Sequence, residues 1–164
     1  MRLLAGLCLL FALVATAHAA ALTGVVIVVI DGDTVLFRPD RYRAASRAFL
    51  KVRLADIDAP EKGQPYGDAA TRALTAMVLN QRVEIHTVAT DRYGRTVARI
   101  QSGAVQVNAE LVRRGFAWAS TYYQRNSGLL ESQREAHRAQ RGLWQDTAPT
   151  PPWVWRRAQS ASSD

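Results

Sequence analysis

Three short segments of the chain combine carboxylates with arginines: Asp31–Thr34, Arg53–Glu61 and Asp91–Arg95. Carboxylate oxygens suit a hard divalent cation, and guanidinium groups bind phosphate oxygens through paired donors. A carboxylate that is not bound to such a cation can accept a proton from water. Together these groups meet the needs of phosphodiester hydrolysis, because cations stabilise the extra negative charge of its transition state.

Each segment also has a plain structural interpretation. Asp31–Thr34 and Asp91–Arg95 have the composition of tight hairpin turns, and Gly94 would supply a positive φ in the second. Arg53–Glu61 has the composition of a strand that ends in a loop at Pro60. What favours the chemical interpretation is the presence of all three segments in one small chain.

The composition excludes several other kinds of site. Cys8 is the only cysteine and lies in the apolar N-terminal segment, so we expect neither a thiolate metal site nor a cysteine nucleophile in the folded domain. His86 and His137 lie among polar residues, and we interpret both as surface residues. The usual glycine-rich phosphate-binding patterns do not occur. If the chain is an enzyme, carboxylates and arginines therefore carry the reaction.

The elements that must position these segments follow from hydrophobic periodicity. We predict strands at residues 23–30, 33–38, 48–55, 82–88 and 95–100, and helices at residues 68–80, 105–114 and 127–141. Five strands with one helix inserted after the third predict an α+β fold, a small, partly closed β-barrel with helices packed on it. The three charged segments fall at its turns and strand ends.

The two ends of the chain differ from this central part. Arg2, the apolar run Leu3–Ala17 and the sequence Ala17-His18-Ala19 predict a signal peptide over residues 1–19, with an uncleaved membrane anchor as the alternative. The signal peptide predicts an exported protein, either periplasmic or secreted. Residues 147–164 contain prolines, two tryptophans and two adjacent arginines, and we predict a C-terminal tail there. Residues 20–146 remain as the folded domain.

The charge of the chain points to a class of partner. Its 164 residues include 21 Lys and Arg against 14 Asp and Glu, for a formal charge of +7, and all the basic residues except Lys51 and Lys62 are arginines. An excess of positive charge fits a phosphate-rich partner such as nucleic acid, and it equally fits a generally basic surface.

Five ordered motifs resemble the staphylococcal nuclease (thermonuclease) family. They are Asp31-Gly-Asp-Thr34, Val52-Arg-Leu-Ala-Asp-Ile-Asp-Ala-Pro-Glu61, Asp91-Arg-Tyr-Gly-Arg95, Asn108-Ala-Glu-Leu-Val-Arg-Arg-Gly115 and Gly142-Leu-Trp144. The resemblance covers roughly residues 24–146. It implies a five-stranded OB-fold β-barrel with three packed α-helices. It also implies calcium-dependent cleavage of DNA and RNA that leaves 3′-phosphate ends.

The resemblance also implies a role for each active group. The calcium ligands would be Asp33, Asp58 and the backbone carbonyl of Ala59, and the family favours calcium over magnesium. The general base would be Glu61, and the two phosphate-binding arginines would be Arg53 and Arg95. We expect a monomer that acts on nucleic acid and has no stable membrane partner once the signal peptide is removed.

One spacing within the second motif constrains the fold. Arg53 and Asp58 are five residues apart, so a regular strand would point them to opposite faces. The strand must therefore bend or end near Ile57 if both are to reach one site. Asp56 is an additional acid in this stretch, and we interpret it either as a neighbour of the metal ligands or as a structural hydrogen-bond acceptor.

The departures from the family pattern concern the grip on the substrate. The loop before Arg53 is longer than in the type protein and contains Arg41, Arg43 and Arg47, whereas the segment after Glu61 is shorter and lacks a lysine-rich loop. Arg92 and Tyr93 are candidate substrate contacts or simple turn residues. Of the two tyrosines of the nucleotide pocket, one corresponds to Tyr123 and the other to Thr121, with Tyr122 as a replacement. Three tryptophans could stack bases or anchor the core and the tail: Trp118, Trp153 and Trp155.

Two functions remain open for such a chain. A basic OB barrel can bind single-stranded nucleic acid without cutting it. A relative that had lost catalysis would be expected to lack one of the five active groups, namely Asp33, Arg53, Asp58, Glu61 and Arg95. Since all five are present, we predict a nuclease, with the non-catalytic binding module as the alternative.

Overall fold

The computed structural model describes residues 21–41, 48–120 and 127–161. The predicted signal peptide lies outside these ranges. So do Arg43, Arg47 and the three residues around the predicted nucleotide pocket, Thr121, Tyr122 and Tyr123. Among the helices of the described ranges, none has the length and apolar character needed to cross a membrane.

Eight strands and four α-helices make up the described part of the chain. The strands are β1 Leu22–Val29, β2 Thr34–Pro39, β3 Leu50–Leu54, β4 Ile57–Asp58, β5 Arg82–Thr90, β6 Thr96–Ser102, β7 Val105–Gln106 and β8 Trp118–Ala119. The α-helices are α1 Gly67–Val78, α2 Val107–Arg113, α3 Ser127–Arg138 and α4 Pro152–Ala161, and a 3-10 helix covers Gly142–Gln145.

Five of the strands close into a barrel, which confirms the predicted OB-type α+β fold. The order is β3-β2-β1-β5-β6, with antiparallel neighbours, and a parallel pairing of β3 with β6 completes the ring. In that closing pair Val52 lies opposite Thr96. The residues next to them in sequence, Arg53 and Arg95, are thereby brought to one region of the barrel.

The barrel interior is filled by alternate strand residues, as a period of two requires. Val35 and Phe37 of β2 are fully buried, and the same is true of Ile85 on β5 and Ile100 on β6. Helix α1 adds Ala70, Leu74 and Val78 at helical spacing to this core. Burying a side chain of this size contributes roughly 1.5–3 kcal/mol. The apolar pattern therefore fixes which strand faces point outward to carry the site.

Helix α2 is tied to the barrel by a buried amide. Asn108 is 2% exposed, and its Oδ1 accepts from the backbone N–H of Ile100 at 3.0 Å. Its Nδ2 donates to the carbonyls of Ala55 at 2.9 Å and Ala98 at 3.3 Å. One side chain thus joins the start of α2 to β6 and to the turn that follows β3.

The C-terminal segment differs from its prediction. Residues 152–161 of the expected tail form helix α4, so the described ranges contain four α-helices where the sequence analysis predicted three. Pro152 occupies the first helical position, where the missing N–H costs nothing and the fixed φ favours a helix. A second difference is smaller, since residues 105–106 form strand β7 and helix α2 starts only at Val107.

The tryptophan of β8 lies in the interior, as an anchor would. Trp118 is 6% exposed and makes edge-to-face contacts with Trp144, at 5.4 Å between ring centroids, and with Trp153 of α4, at 6.4 Å. The histidines lie near the surface as predicted: His86 is half-exposed beside Glu84, and the exposed His137 contacts the Trp144 ring.

Candidate active site

The turn between β1 and β2 holds Asp33 in a buried position. The N–H of Asp33 donates to Asp31 Oδ1 at 3.0 Å, and the Thr34 hydroxyl donates to Asp33 Oδ1 at 3.0 Å. Asp33 Oδ2 accepts from the N–H of Ala59 at 2.9 Å. Glycine is required at position 32, because a Cβ there would lie 2.7 Å from that of Ala59 and 2.8 Å from that of Ala70.

The chain turns sharply between β3 and β4, as the spacing of Arg53 and Asp58 predicted. β3 ends at Leu54, Asp56 adopts a φ of +63°, and the chain resumes as β4 at Ile57. The turn lies slightly before the predicted position at Ile57. It brings Asp58 back beside the Arg53 side chain, whose Nη1 also donates to the Leu54 carbonyl at 2.8 Å.

A single guanidinium joins the two aspartates. Arg53 Nη1 lies 3.1 Å from Asp33 Oδ2, and Nη2 donates to Asp58 Oδ1 at 2.9 Å. The three side chains are only 10–16% exposed. Buried charges need such pairing, because desolvation costs several kcal/mol per ion when it is not compensated.

Asp56 serves the structure of this turn. Its carboxylate is buried, and Oδ2 lies 2.7 Å from Arg99 Nε and 2.7 Å from Arg99 Nη2. Asp56 Oδ1 has no hydrogen-bond partner among the described residues. Its backbone carbonyl accepts from the N–H of Ser120 at 2.8 Å. Of the two interpretations, the structural hydrogen-bond acceptor fits these contacts.

Glu61 follows β4 and is half-buried at the edge of the site. Its backbone N–H donates to Gln64 Oε1 at 3.0 Å, which fixes the loop that leads to α1. Its carboxylate accepts from Arg156 Nη1 at 2.5 Å. Arg156 also donates to both oxygens of Asp58, from Nη2 to Oδ2 at 2.8 Å and from Nη1 to Oδ1 at 3.2 Å.

Arg156 is a site residue that the sequence analysis missed. It lies on α4, in the segment predicted as a tail, 98 positions from Asp58. The hydrogen bonds to Asp58 and Glu61 raise the pKa of Arg156 above its ordinary value. Proline at the first position of a ten-residue run without a second helix breaker was a signal for α4. No local pattern gives the destination of its arginine.

The turn between β5 and β6 positions the second arginine. Asp91 Oδ1 accepts from the N–H groups of Tyr93 at 3.0 Å and Arg95 at 2.9 Å, and its Oδ2 accepts from Arg95 Nε at 2.6 Å. Although burial opposes it, hydrogen bonding from Arg95 and the turn backbone lowers the pKa of Asp91. Asp91 therefore stays charged and holds Arg95 in place through Nε.

Arg92 and Tyr93 form the exposed tip of the same turn. Arg92 Nη2 lies 2.6 Å from the Tyr93 hydroxyl, and its guanidinium carbon lies 4.8 Å from the centre of the ring. Tyr93 is 69% exposed. A cation and an open aromatic face at one edge of the site can contact a phosphate and a base, respectively.

These segments surround one open cavity of ≈ 770 Å³. It is lined by Asp31, Asp33, Thr34, Arg53, Leu54, Asp56, Ile57, Asp58, Glu61, Thr90, Asp91, Arg92, Tyr93, Arg95, Ser120 and Arg156. Seven of the nine predicted site residues are on this wall. Ala59 lies behind it, buried and bonded to Asp33, and Tyr123 is outside the described ranges. Asp31, on the same wall, carries a carboxylate to which the sequence analysis gave no role.

The surroundings of Asp33 disfavour the charged form of its carboxylate. Burial, assisted by the charges of Asp31 and Asp58, raises the pKa of Asp33 to about 7, although the Arg53 charge and the hydrogen bond from the N–H of Ala59 oppose the rise. A carboxylate in such surroundings gains more from a bound cation than a solvated one does. The donor set consists of oxygens alone, which suits a hard ion such as calcium or magnesium. Within the described residues, no group of three or more His, Cys, Asp and Glu side chains is arranged as a metal site.

Comparisons with known proteins agree with this arrangement. The sequence model of the family described as "Staphylococcal nuclease homologue" matches residues 51–146, more than half of the chain. The chain is 36% identical to "Micrococcal nuclease" of Shigella flexneri over 152 residues, covering 86% of this chain and 84% of that protein. It is 38% identical to an "Uncharacterized endonuclease" of Escherichia coli O157:H7, covering 84% and 86%.

A third relative extends the agreement along the chain. An "Uncharacterized endonuclease" of Haemophilus influenzae is 34% identical over 157 residues, which cover 96% of this chain and 85% of that protein. Matches of this extent include the three charged segments, the barrel and its helices. The chain therefore belongs to the staphylococcal nuclease family.

Proposed function

We propose that this protein is a calcium-dependent nuclease that hydrolyses the phosphodiester bonds of DNA, RNA or both and leaves 3′-phosphate ends. Its family membership supports the hydrolysis of nucleic acid in general. The finer proposal is carried by one observation. The Arg53 guanidinium is bonded to Asp33 and Asp58 in a cavity that also contains Glu61 and Arg95.

In the proposed metal site the protein supplies three oxygen donors. Asp33, Asp58 and the carbonyl of Ala59 would hold a calcium ion, which we favour over magnesium on the family resemblance. The ion would supply a Lewis acid beside the phosphate. The buried carboxylate of Asp33 and the all-oxygen donor set fit this role. The contacts of Asp33 with Thr34 and Ala59 fix the orientation of its carboxylate in advance.

The protein groups would carry the remaining steps. Glu61 accepts a proton from water, and the water oxygen attacks phosphorus in line with the 5′-oxygen of the leaving nucleotide. The bond between phosphorus and that oxygen breaks, the oxygen takes up a proton from solvent, and the phosphate stays on the 3′ side. Arg53 and Arg95 donate to the phosphate oxygens, whose negative charge increases in the transition state.

The partner and the location of the protein are also proposals. Arg92 and Tyr93 would contact the substrate beside the scissile phosphate, and Tyr123 would complete the nucleotide pocket. We propose that the chain works as a monomer after removal of residues 1–19, without a stable membrane partner. Its place of action would be the periplasm or the medium, as the apolar leader and its cleavage sequence suggest.

A digestion assay tests this function. The purified protein is mixed with duplex DNA, denatured DNA and RNA, each in calcium, in magnesium and in chelator. We expect cutting in calcium that chelator abolishes. Glu61→Gln should lower turnover by about 10²–10⁴-fold, because a general base contributes that much. The matched control is Glu84→Gln, which removes a surface carboxylate outside the cavity and should leave turnover unchanged.

The products and the alternative outcomes decide between the parts of the proposal. End-labelling should find phosphate on the 3′ ends of the fragments. Undiminished cutting in chelator would contradict the metal, and wild-type turnover in Glu61→Gln would contradict the base. Binding without cutting under every condition would instead favour the non-catalytic OB-fold binding module.

A further inference from the structure

Helix α4 places the side chain of Arg156 beside two carboxylates on which the proposed reaction depends. Arg156 donates to both oxygens of Asp58 and to Glu61, at distances of 2.5–3.2 Å. Asp58 Oδ1 also accepts from Arg53 at 2.9 Å. Of the carboxylates in this cavity, Arg156 pairs with one of the two proposed metal ligands, Asp58, and with the proposed base, Glu61.

These contacts conflict with the roles of the two carboxylates. Four acceptor positions are available on Asp58, and two guanidinium groups take three of them. On Glu61, Arg156 occupies an acceptor position that the attacking water could otherwise use. A divalent cation on Asp58 would also be repelled by a guanidinium held on the same carboxylate.

We infer that α4 is an autoinhibitory element, whose Arg156 occupies Asp58 and Glu61 until a divalent cation and nucleic acid displace it. The inference rests on the proposed function, which gives those two carboxylates their roles. It assigns Arg156 to the resting state of the site.

The way α4 is held supports a reversible contact. Its contacts besides those of Arg156 include the buried Pro152 and the edge-to-face contact of Trp153 with Trp118, and just before the helix the Thr150 carbonyl accepts from Gln64 Nε2 at 2.6 Å. Nearly all other side chains of α4 are exposed. An element with so little buried apolar surface can open at a small cost in free energy.

The displacing groups have the chemistry that the exchange needs. A dication replaces one positive charge on Asp58 with two, and a nucleic-acid phosphate offers Arg156 a bidentate partner in place of the carboxylates. The side chain of Arg156 is 47% exposed, so it can reach solvent and ligand from its present position. Arg157 follows it in the helix and is also exposed, so α4 carries a second cation.

Calorimetric titration of calcium chloride into the chelator-treated protein, without nucleic acid, tests the inference. Arg156→Gln should bind calcium about tenfold more tightly than the wild type, because the competing cation is gone. Arg157→Gln removes the same charge from the same helix and should stay within about twofold of the wild type. Arg156→Lys keeps the charge without the bidentate geometry and should fall between the two.

A second variant separates the helix from its charge. Trp153→Ala removes the contact with Trp118 while leaving every charge in place. The change should loosen α4, and we therefore expect this variant of the protein to bind calcium a few-fold more tightly than the wild type. Thermal melting of each variant in chelator checks that it is folded. Unchanged calcium affinity in Trp153→Ala would overturn the part assigned to the helix.

The remaining outcomes separate this inference from the proposed function. If Arg156→Gln binds calcium no more tightly than Arg157→Gln, autoinhibition is overturned while the nuclease and its metal stand. If neither the wild type nor Arg156→Gln binds calcium, and cutting persists in chelator, both the inference and the metal half of the proposed function fail.

Discussion

The residue at the centre of the site is Arg53, which joins two acids that would otherwise repel each other. Its guanidinium contacts Asp33 and Asp58 at 3.1 and 2.9 Å while remaining 16% exposed. Removal of Arg53 would leave both buried carboxylates without compensation, and a loss of this kind typically costs 3–5 kcal/mol, whereas neutralising one aspartate leaves Arg53 paired with the other. A guanidinium fork suits the oxygens of a phosphate as well as those of a carboxylate, so Arg53 could also bind a phosphate.

At the residue scale we predict how Asp33→Asn changes the affinity of the protein for calcium. Loss of a partner that only supports a ligand often costs 10–100-fold in metal affinity, so loss of the charged ligand itself should cost at least about tenfold. In chelator the melting temperature should change by only a few degrees, because the amide oxygen can still accept from the N–H of Ala59. Calcium calorimetry and thermal melting measure the two effects.

The control for this prediction is Asp40→Asn, which neutralises a carboxylate paired with Arg82 on the barrel surface. It should leave calcium affinity within about twofold of the wild type. Equal calcium affinity in Asp33→Asn and in the control would remove Asp33 from the ligand set.

At the scale of the elements, the site is built from turns that are braced by neighbouring elements. Asp31–Thr34 rests on Ala59 and α1, and the turn after β3 is held by Arg99 and by Asn108 of α2. A tight turn alone does not fix side chains to a fraction of an ångström. Positioning of that quality comes from rigid elements that support the turn.

We predict that Asn108→Ala lowers the free energy of unfolding by about 2–4 kcal/mol. The change leaves the N–H of Ile100 and the carbonyl of Ala55 buried without this partner, and each such loss costs roughly 1–3 kcal/mol. Urea unfolding measures the effect. Gln101→Ala removes an exposed side-chain contact to Gly103 and should change stability by less than about 0.5 kcal/mol. A loss below about 1 kcal/mol in Asn108→Ala would argue against its bracing role.

At the scale of the whole molecule, barrel closure assembles the site and the net charge attracts the substrate. The parallel pairing of β3 with β6 brings Arg53 and Arg95 to one cavity, although 42 positions of sequence separate them. A formal charge of +7 gives long-range attraction for a polyanion, which depends on ionic strength. The contribution of a single phosphate contact to DNA binding should therefore be measurable from the salt dependence of the binding constant.

We predict that Arg95→Gln reduces the salt dependence of duplex DNA binding. Each phosphate contact contributes about 0.9 to the slope of log K against log salt, so loss of one contact should flatten the slope by about that amount. The measurement is made in the Glu61→Gln background, which prevents cutting. Arg134→Gln removes an arginine that pairs with Glu131 outside the cavity. If both changes flatten the slope equally, Arg95 makes no specific phosphate contact.

Much of this arrangement could be predicted because its causes are local. Alternating apolar residues specify strands such as 82–90, turn residues specify Asp91–Arg95, and the spacing from Arg53 to Asp58 demanded the bend that Asp56 makes. Two contacts escaped prediction. The ion pair of Asp56 with Arg99 joins positions 43 apart, and Arg156 reaches Asp58 across 98. Neither ion pair can be predicted from a local sequence pattern, because its two residues lie far apart in the chain.

The sequence by itself determined the chemical inventory of this protein: which acids and arginines are present, in which order, and on which strand ends and turns they stand. Those features depend on backbone preferences and periodicity within a few residues. Only the tertiary structure decided which charges meet. It joined Asp33, Arg53 and Asp58 in one buried cluster and placed Arg156 of α4 on Asp58 and Glu61. The physical reason is that ion pairing and burial depend on distance in space, which barrel closure and helix docking set.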